Sequence, residues 1–157
     1  MRDKIRKMKD VKTWYGEIPM WYRYTYGIAG EKFFREITEK GRFIGSKCAS
    51  CGNVYIPPKI YCEECFVEID EYVPLSLTGE VYSFTVLYED LEEKRIDSPI
   101  IVAFITFQGA QGGIVHKLGE VNLTEIYIGM SVEPVFKKKE EREGSLEDIL
   151  YFRPVRS

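Results

Sequence analysis

The chain has 157 residues, 45% hydrophobic, 30% charged and 14% aromatic, with 22 basic against 25 acidic side chains for a net charge of −3. This is the composition of a soluble globular protein, sized for one ordinary domain or two small ones sharing a surface. No apolar run approaches a membrane span. The opening, Met1 to Lys12, is charged and lacks the apolar stretch of a signal peptide, so the cytoplasm is the expected location and no membrane partner is expected. Charge is divided along the chain: residues 1–39 carry a net +3, whereas residues 73–157 hold nine basic and fourteen acidic side chains. A nucleic-acid reader normally shows a basic stripe on its reading domain, and here the larger C-terminal part is acidic.

The N-terminal segment, residues 13–26, holds Trp14, Tyr15, Trp21, Tyr22, Tyr24 and Tyr26, with Gly16 and Pro19 breaking any long helix. It either packs on its own domain or docks on a partner protein. We read it as docking, because Tyr and Trp offer large contact area at low entropy cost. On the next segment Ala29, Phe33 and Ile37 recur every four residues with Phe34 beside them, which predicts a helix over 28–40 that stops at Gly41. Trp14, Trp21, Tyr22, Tyr24, Phe33 and Phe34 are the docking candidates. Phe43 and Ile44 then lead as a short strand toward the cysteines.

All four cysteines fall within 18 residues, as Cys48-Ala-Ser-Cys51-Gly52 and Cys62-Glu-Glu-Cys65-Phe66. A two-residue gap lets two thiolates grip one tetrahedral ion while the amides of the turn support the sulfurs. Gly52 stands where such a knuckle needs a left-handed backbone. Ten residues separate the pairs, enough for a hairpin that brings the second knuckle over the first. The pattern predicts a rubredoxin-like zinc ribbon with Cys48, Cys51, Cys62 and Cys65 as ligands, or iron in the same cage. Two disulfides would need an oxidising compartment, and a redox motif needs one pair rather than two. Four ligands leave no open coordination position, so the metal is expected to be structural. Pro57-Pro58 is placed at the hairpin tip with Lys59 as a solvated neighbour.

From Glu71 onward the pattern is β. Gly79 to Tyr88 alternates, Pro99 to Phe107 is a near-continuous apolar run suited to a central strand, and Ile114 to Leu118, Met130 to Phe136 and Leu146 to Arg153 complete five strands. Short strands with glycine turns suggest a small, partly open barrel of the OB type. Residues 89–98 are expected to form a long polar loop at the barrel mouth, and Lys137 to Gly144 a solvated hairpin loop. The expected architecture is therefore mainly β: an N-terminal arm and helix (1–41), a zinc ribbon (42–72) and an OB barrel (73–157).

Independent catalysis finds little support in the residues. His116 is the sole histidine, every cysteine belongs to the ribbon, and no nucleophile motif surrounds the one available base. Alternation places His116 on the strand face opposite Val115 and Lys117. Gly109 to Gly113 lacks the spacing and the strand-to-helix context of a phosphate loop.

In order and combination, Cys48-x-x-Cys51-Gly52, Pro57-Pro58-Lys59, Cys62-x-x-Cys65, Gly79-Glu-Val-Tyr-Ser-Phe-Thr85, Ile128-Gly-Met-Ser-Val132 and Tyr151-Phe-Arg-Pro154 resemble the zinc-ribbon/OB-fold acyl-CoA-associated proteins, once classed only as a domain of unknown function. The resemblance runs from about Gly30 to Pro154. It implies a non-catalytic subunit that joins acyl-CoA enzymes, in archaea a thiolase and a hydroxymethylglutaryl-CoA synthase, and helps hold the pantetheine arm of CoA during transfer. CoA or acyl-CoA is then a possible ligand beside the structural zinc. The phosphates of CoA want Lys or Arg and its arm wants an apolar slot; by residue type, Lys47, Lys59, Lys117 and Arg153 are candidates for the first, Phe84 and Tyr88 for the second. Two other readings stand beside this one: a single-stranded nucleic-acid-binding ribbon/OB module, which the acidic barrel disfavours, and a stand-alone thioesterase.

Overall fold

The computed structural model describes residues 16, 20–90 and 93–156. Chain order is helix α1 (Gly27–Lys40), strands β1 (Ile44–Lys47), β2 (Val54–Ile56), β3 (Glu71–Pro74), β4 (Gly79–Glu89), β5 (Arg95–Thr106), β6 (Gln111–Gly112), β7 (Ile114–Lys117) and β8 (Ser131–Phe136), two single-turn 3₁₀ helices, and β9 (Ile149–Pro154). Helix α1 buries Ala29, Phe33 and Ile37, the four-residue stripe of the sequence, and ends where Gly41 takes a left-handed turn with its N–H returned to Ile37 and Glu36. Phe33 is therefore a core residue, 2% exposed and closed to any partner; its helical period serves this chain's own interior. Phe34 is half-buried, with the Tyr26 ring edge-on at 5.3 Å.

Five strands form one sheet in the order β7-β5-β4-β8-β9. A parallel bridge between Leu118 and Phe152, with the Gly119 N–H on the Phe152 carbonyl at 2.8 Å, joins the outer strands and closes the sheet into the OB barrel. Val81, Ile101, Ala103, Ile105, Val132 and Phe152 fill its interior. The second sheet, β3-β1-β2-β6, is the ribbon, and its last member belongs to the barrel: β6 lies parallel to β2, Tyr55 facing Gln111 and Ile56 facing Gly112.

One apolar core runs through all three parts. Phe33 and Ile37 of the helix, Ile44 and Ile56 of the ribbon and the barrel interior pack together around Phe43, fully buried between Phe33, Phe107, Phe136 and Phe152 at ring separations of 5.3–6.2 Å. The phenylalanines supply most of these interior rings, while many of the tyrosines stay exposed.

Two expected loops differ. Half of residues 89–98 are strand: β4 continues to Glu89 and β5 begins at Arg95, with Glu89 opposite Arg95. The chain reverses between Asp90 and Lys94, whose backbone N–H and carbonyl meet at 2.9 Å. Charged residues conceal this strand extension from a reading by polarity. The loop 137–144 is only partly solvated, because Arg142 reaches from it to the end of α1 and donates to the Ile37 and Thr38 carbonyls at 3.2 and 3.3 Å. A cation there adds a second donor to the Ile37 carbonyl, reaches the Thr38 carbonyl in the helix's last turn, and complements the helix dipole.

Candidate functional site

The two Cys-x-x-Cys turns fold as near-copies. In the first, the Cys48 N–H donates to Asn53 and the Gly52 N–H to Cys48, both at 2.8 Å; in the second, the Cys62 N–H donates to Val67 at 2.9 Å and the Phe66 N–H to Cys62 at 3.0 Å. The residue after each turn is left-handed, Gly52 at φ 78° and Phe66 at φ 58°. Glycine adopts that conformation freely; for phenylalanine it costs on the order of 1 kcal/mol. Phe66 nevertheless leaves its ring 83% exposed.

The four sulfurs lie within 4.8 Å of one another. Tetrahedral zinc with bonds of about 2.3 Å spaces its sulfurs about 3.8 Å apart, so the cage fits the ion. Cys48 and Cys62 are buried, Cys65 is intermediate and Cys51 faces solvent. The Cys65 N–H approaches the Cys62 sulfur at 3.4 Å, the backbone support that a thiolate ligand requires. A further support escapes the spacing rule: buried Tyr55 sets its hydroxyl 3.3 Å from the Cys62 sulfur. That hydroxyl, with the Cys65 and Glu64 N–H groups, outweighs burial and holds the Cys62 thiol down at about 6. Cys51 goes the other way. Its hydrogen bond to the Asn53 backbone favours the thiolate, but desolvation and the neighbouring thiols prevail and push it up to about 12. Sulfurs this close cannot all ionise without a cation between them. The metal would hold the two knuckles together and supply no open position for substrate.

Pro57-Pro58 is not a hairpin tip. The β1–β2 hairpin turns at the first knuckle, and the prolines carry the chain away from β2, Pro58 buried. Lys59 donates its N–H to buried Ser46 at 2.8 Å, pairs its ammonium with Glu63 and lies 5.1 Å from the Tyr55 ring. The other basic candidates are dispersed. Lys47 faces Glu71 across β1–β3 at 3.4 Å, and Arg153 pairs with Glu133 at 2.9 Å with Glu120 nearby. Lys117 lies in a groove of about 480 Å³ with His116, Lys137, Glu147, Ile149 and Leu150, and no ion pair holds it among the described residues. Phe84 and Tyr88 stand on the β4–β5 hairpin, 37% and 51% exposed. His116 takes the inward phase with Ile114 and Leu118, its ring 5.7 Å from Phe152 and its nitrogens 3.3–3.4 Å from the Leu146 and Lys117 carbonyls.

Trp14 lies outside the described residues. Trp21, Tyr22 and Tyr24 are exposed, Trp21 almost completely at 97%, and Tyr22 and Tyr24 stack on each other at 5.6 Å. No helix among the described residues is long and apolar enough to cross a membrane.

A closed thiolate cage beside an OB barrel defines a zinc-ribbon/OB-fold protein. Two family models divide the chain at that junction: the ChsH2 rubredoxin-like zinc ribbon domain over residues 35–71 and the ChsH2 C-terminal OB-fold domain over 72–137. The chain belongs to this family of ChsH2-type, DUF35-domain proteins. It is 31% identical over 126 residues to a DUF35 domain-containing scaffold protein of Methanocaldococcus jannaschii, covering 78% of this chain and 88% of that one. A 61-residue stretch is 34% identical to the benzoylsuccinyl-CoA thiolase subunit BbsA of Geobacter metallireducens, covering 39% of this chain and 40% of BbsA. Among solved structures, the Ltp2–ChsH2(DUF35) aldolase is similar with a TM-score of 0.61 and 26% identity, covering 84% of this chain and 98% of that one.

Proposed function

We propose that this chain is a non-catalytic scaffold subunit of an acyl-CoA enzyme complex, joining a thiolase to a hydroxymethylglutaryl-CoA synthase-type enzyme and helping to hold the CoA moiety as an intermediate passes between them. The observation that carries the reading is a closed metal cage, suited to holding a fold rather than turning over substrate, in a chain whose relatives are named as scaffold proteins and as a thiolase subunit. The exposed aromatics at Trp21, Tyr22 and Tyr24 support it, because an outlying cluster of rings suits contact with another protein. Of the basic candidates, Lys117 is best suited to the CoA phosphates: Lys47, Lys59 and Arg153 already have carboxylate partners, while Lys117 shares its groove with Lys137.

The test is size-exclusion chromatography of the purified, zinc-loaded chain with the thiolase-type and synthase-type enzymes of its own cell, alone and together, beside calorimetric titration with CoA. Co-elution of all three is the expected result, with CoA affinity weakened severalfold by Lys117→Ala. A chain that elutes alone in every mixture and takes up no CoA would overturn the proposal.

A further inference from the structure

Strand β5 is apolar on both sides. Ile101, Ala103 and Ile105 are buried in the barrel, and Ile100, Val102 and Phe104 alternate with them on the outer face. Direct cross-strand partners share a face. The pairs Leu87–Ile100 and Phe104–Val115 therefore extend this outer face onto β4 and β7. Leu87, Ile100 and Val115 are 41%, 43% and 61% exposed, and Tyr82, edge-on to Phe104 at 5.9 Å, is 64% exposed. An antiparallel sheet that met only water on this side would alternate toward polar residues.

The same hairpin outruns its neighbours. Strand β8 pairs with β4 only at Gly79 and Glu80, and β7 pairs with β5 only from Val102 to Ile105. From Leu87 and Ile100 outward it continues as a two-stranded ribbon with no third strand among the described residues, and such a ribbon is marginal in water. On the opposite face Phe84, across from buried Ala103, is 37% exposed, and toward the end of the arm Tyr88, next to Leu87, is 51% exposed. At the turn, Glu89, Asp90, Glu93 and Asp97 outnumber Lys94 and Arg95.

We propose that the β4–β5 hairpin is a docking arm that inserts into a cleft of the thiolase-type partner, a cleft apolar on both walls and lined with Lys or Arg at its closed end. The inference rests on the scaffold reading and names the surface it would use. Exposure on both faces selects a cleft: a second copy stacked on the outer face would leave Phe84 uncovered. The acidic end calls for a basic counterpart and repels the phosphates of CoA, which separates this surface from the Lys117 groove.

The test measures affinity of the full chain for the purified thiolase-type enzyme, by calorimetry at low and high salt, with zinc content and thermal melting confirming the fold. Leu87→Ser with Ile100→Ser opens the outer face, Phe84→Ser the other, Glu89→Lys with Asp97→Lys reverses the end, and Leu123→Ser, at an exposed side chain ahead of β8, is the control. Each face variant is expected to weaken binding at least about tenfold. The charge variant should weaken it severalfold at low salt only, and the control should bind normally. Face variants that bind like the unmodified chain overturn the docking arm while leaving the scaffold reading intact. So does a loss confined to the outer face that also abolishes concentration-dependent self-association, which would assign that face to a second copy. An unmodified chain that fails to bind the enzyme removes the scaffold reading, and the arm with it. Should a serine variant lose zinc or cooperative melting, the milder Leu87→Thr and Phe84→Thr are judged by the same criteria.

Discussion

Asp148 is fully buried and charged, and its surroundings explain why. Its carboxylate accepts the N–H groups of Glu143 and Gly144 at 2.8 Å and Ser145 at 3.4 Å, and the Thr38 hydroxyl at 3.3 Å. Burial alone would raise its pKa; these donors overcome burial and hold it below the usual carboxylate value. The sign of the linkage follows. Between the lowered folded value and the ordinary unfolded one, near 3.8, the unfolded chain binds more protons. The stabilisation is complete above that ordinary value and is lost as pH falls through the folded one. Asp148→Asn should therefore cost about 2 kcal/mol at neutral pH, read by urea unfolding, and the gap from the parent chain should narrow below about pH 4. A gap independent of pH would assign the cost to shape instead. The Ser145-x-x-Asp148 capping box is a local signal for this residue, but its burial against Thr38, 110 positions away, is not visible locally. The cysteines are the opposite case: two-residue gaps are local geometry, and all four ligands are legible without a fold. Phe66 lies between these cases, since a missing glycine after Cys65 is visible once the first knuckle has shown that one belongs there.

At the scale of elements, legibility follows periodicity. Helix α1 can be read from its four-residue stripe, and the cores of β4, β7 and β8 from alternation. The outer ends of β4 and β5 are hidden because a two-stranded arm open on both faces tolerates charges that a buried strand would not. The ribbon–barrel junction is hidden for another reason: the two-residue strand β6 has too few positions to show any period. Its significance lies in Gly112, which adopts φ 87° and whose missing Cβ would lie 2.3 Å from the Ile56 carbonyl oxygen. The glycine turn that fails as a phosphate loop is thus the seam where barrel backbone meets ribbon backbone. Gly112→Ala should cost about 2–3 kcal/mol through strain and forced separation, lowering Tm by about 5–10 °C. Gln111→Ala, at an exposed side chain in the same strand, should leave Tm unchanged. Equal melting of the two variants would show that the seam carries no such constraint.

For the whole molecule, the decisive fact is that ribbon, helix and barrel share one main core. Ile44 and Ile56 enter the same cluster as Phe33, Val81 and Phe152, with Phe43 at its centre. The cysteine cage lies outside that cluster, in a smaller one formed by Cys48, Tyr55, Cys62 and Ile69. The two clusters are linked by the ribbon strands: β1 begins at Ile44 and leads to Cys48, and in β2 Tyr55 and Ile56 are adjacent. Releasing zinc loosens the knuckles, and through these strands it loosens the inner face on which α1 and the barrel pack. A structural zinc contributes directly to folding. Chelation should therefore lower one cooperative transition by about 10 °C or more, given about 2–4 °C per kcal/mol at this chain length, rather than melt a ribbon away from an unchanged barrel. Circular dichroism for the strands and near-ultraviolet signals for the buried aromatics should shift together, and zinc should restore both. Cobalt should refill the cage with the visible bands of tetrahedral thiolate coordination. Two separated transitions, with the barrel melting as in the zinc-loaded chain, would show that the ribbon is an independent appendage. A single shifted transition would make zinc a condition for the composite surface that the scaffold presents, so partner binding should fall in step with zinc content.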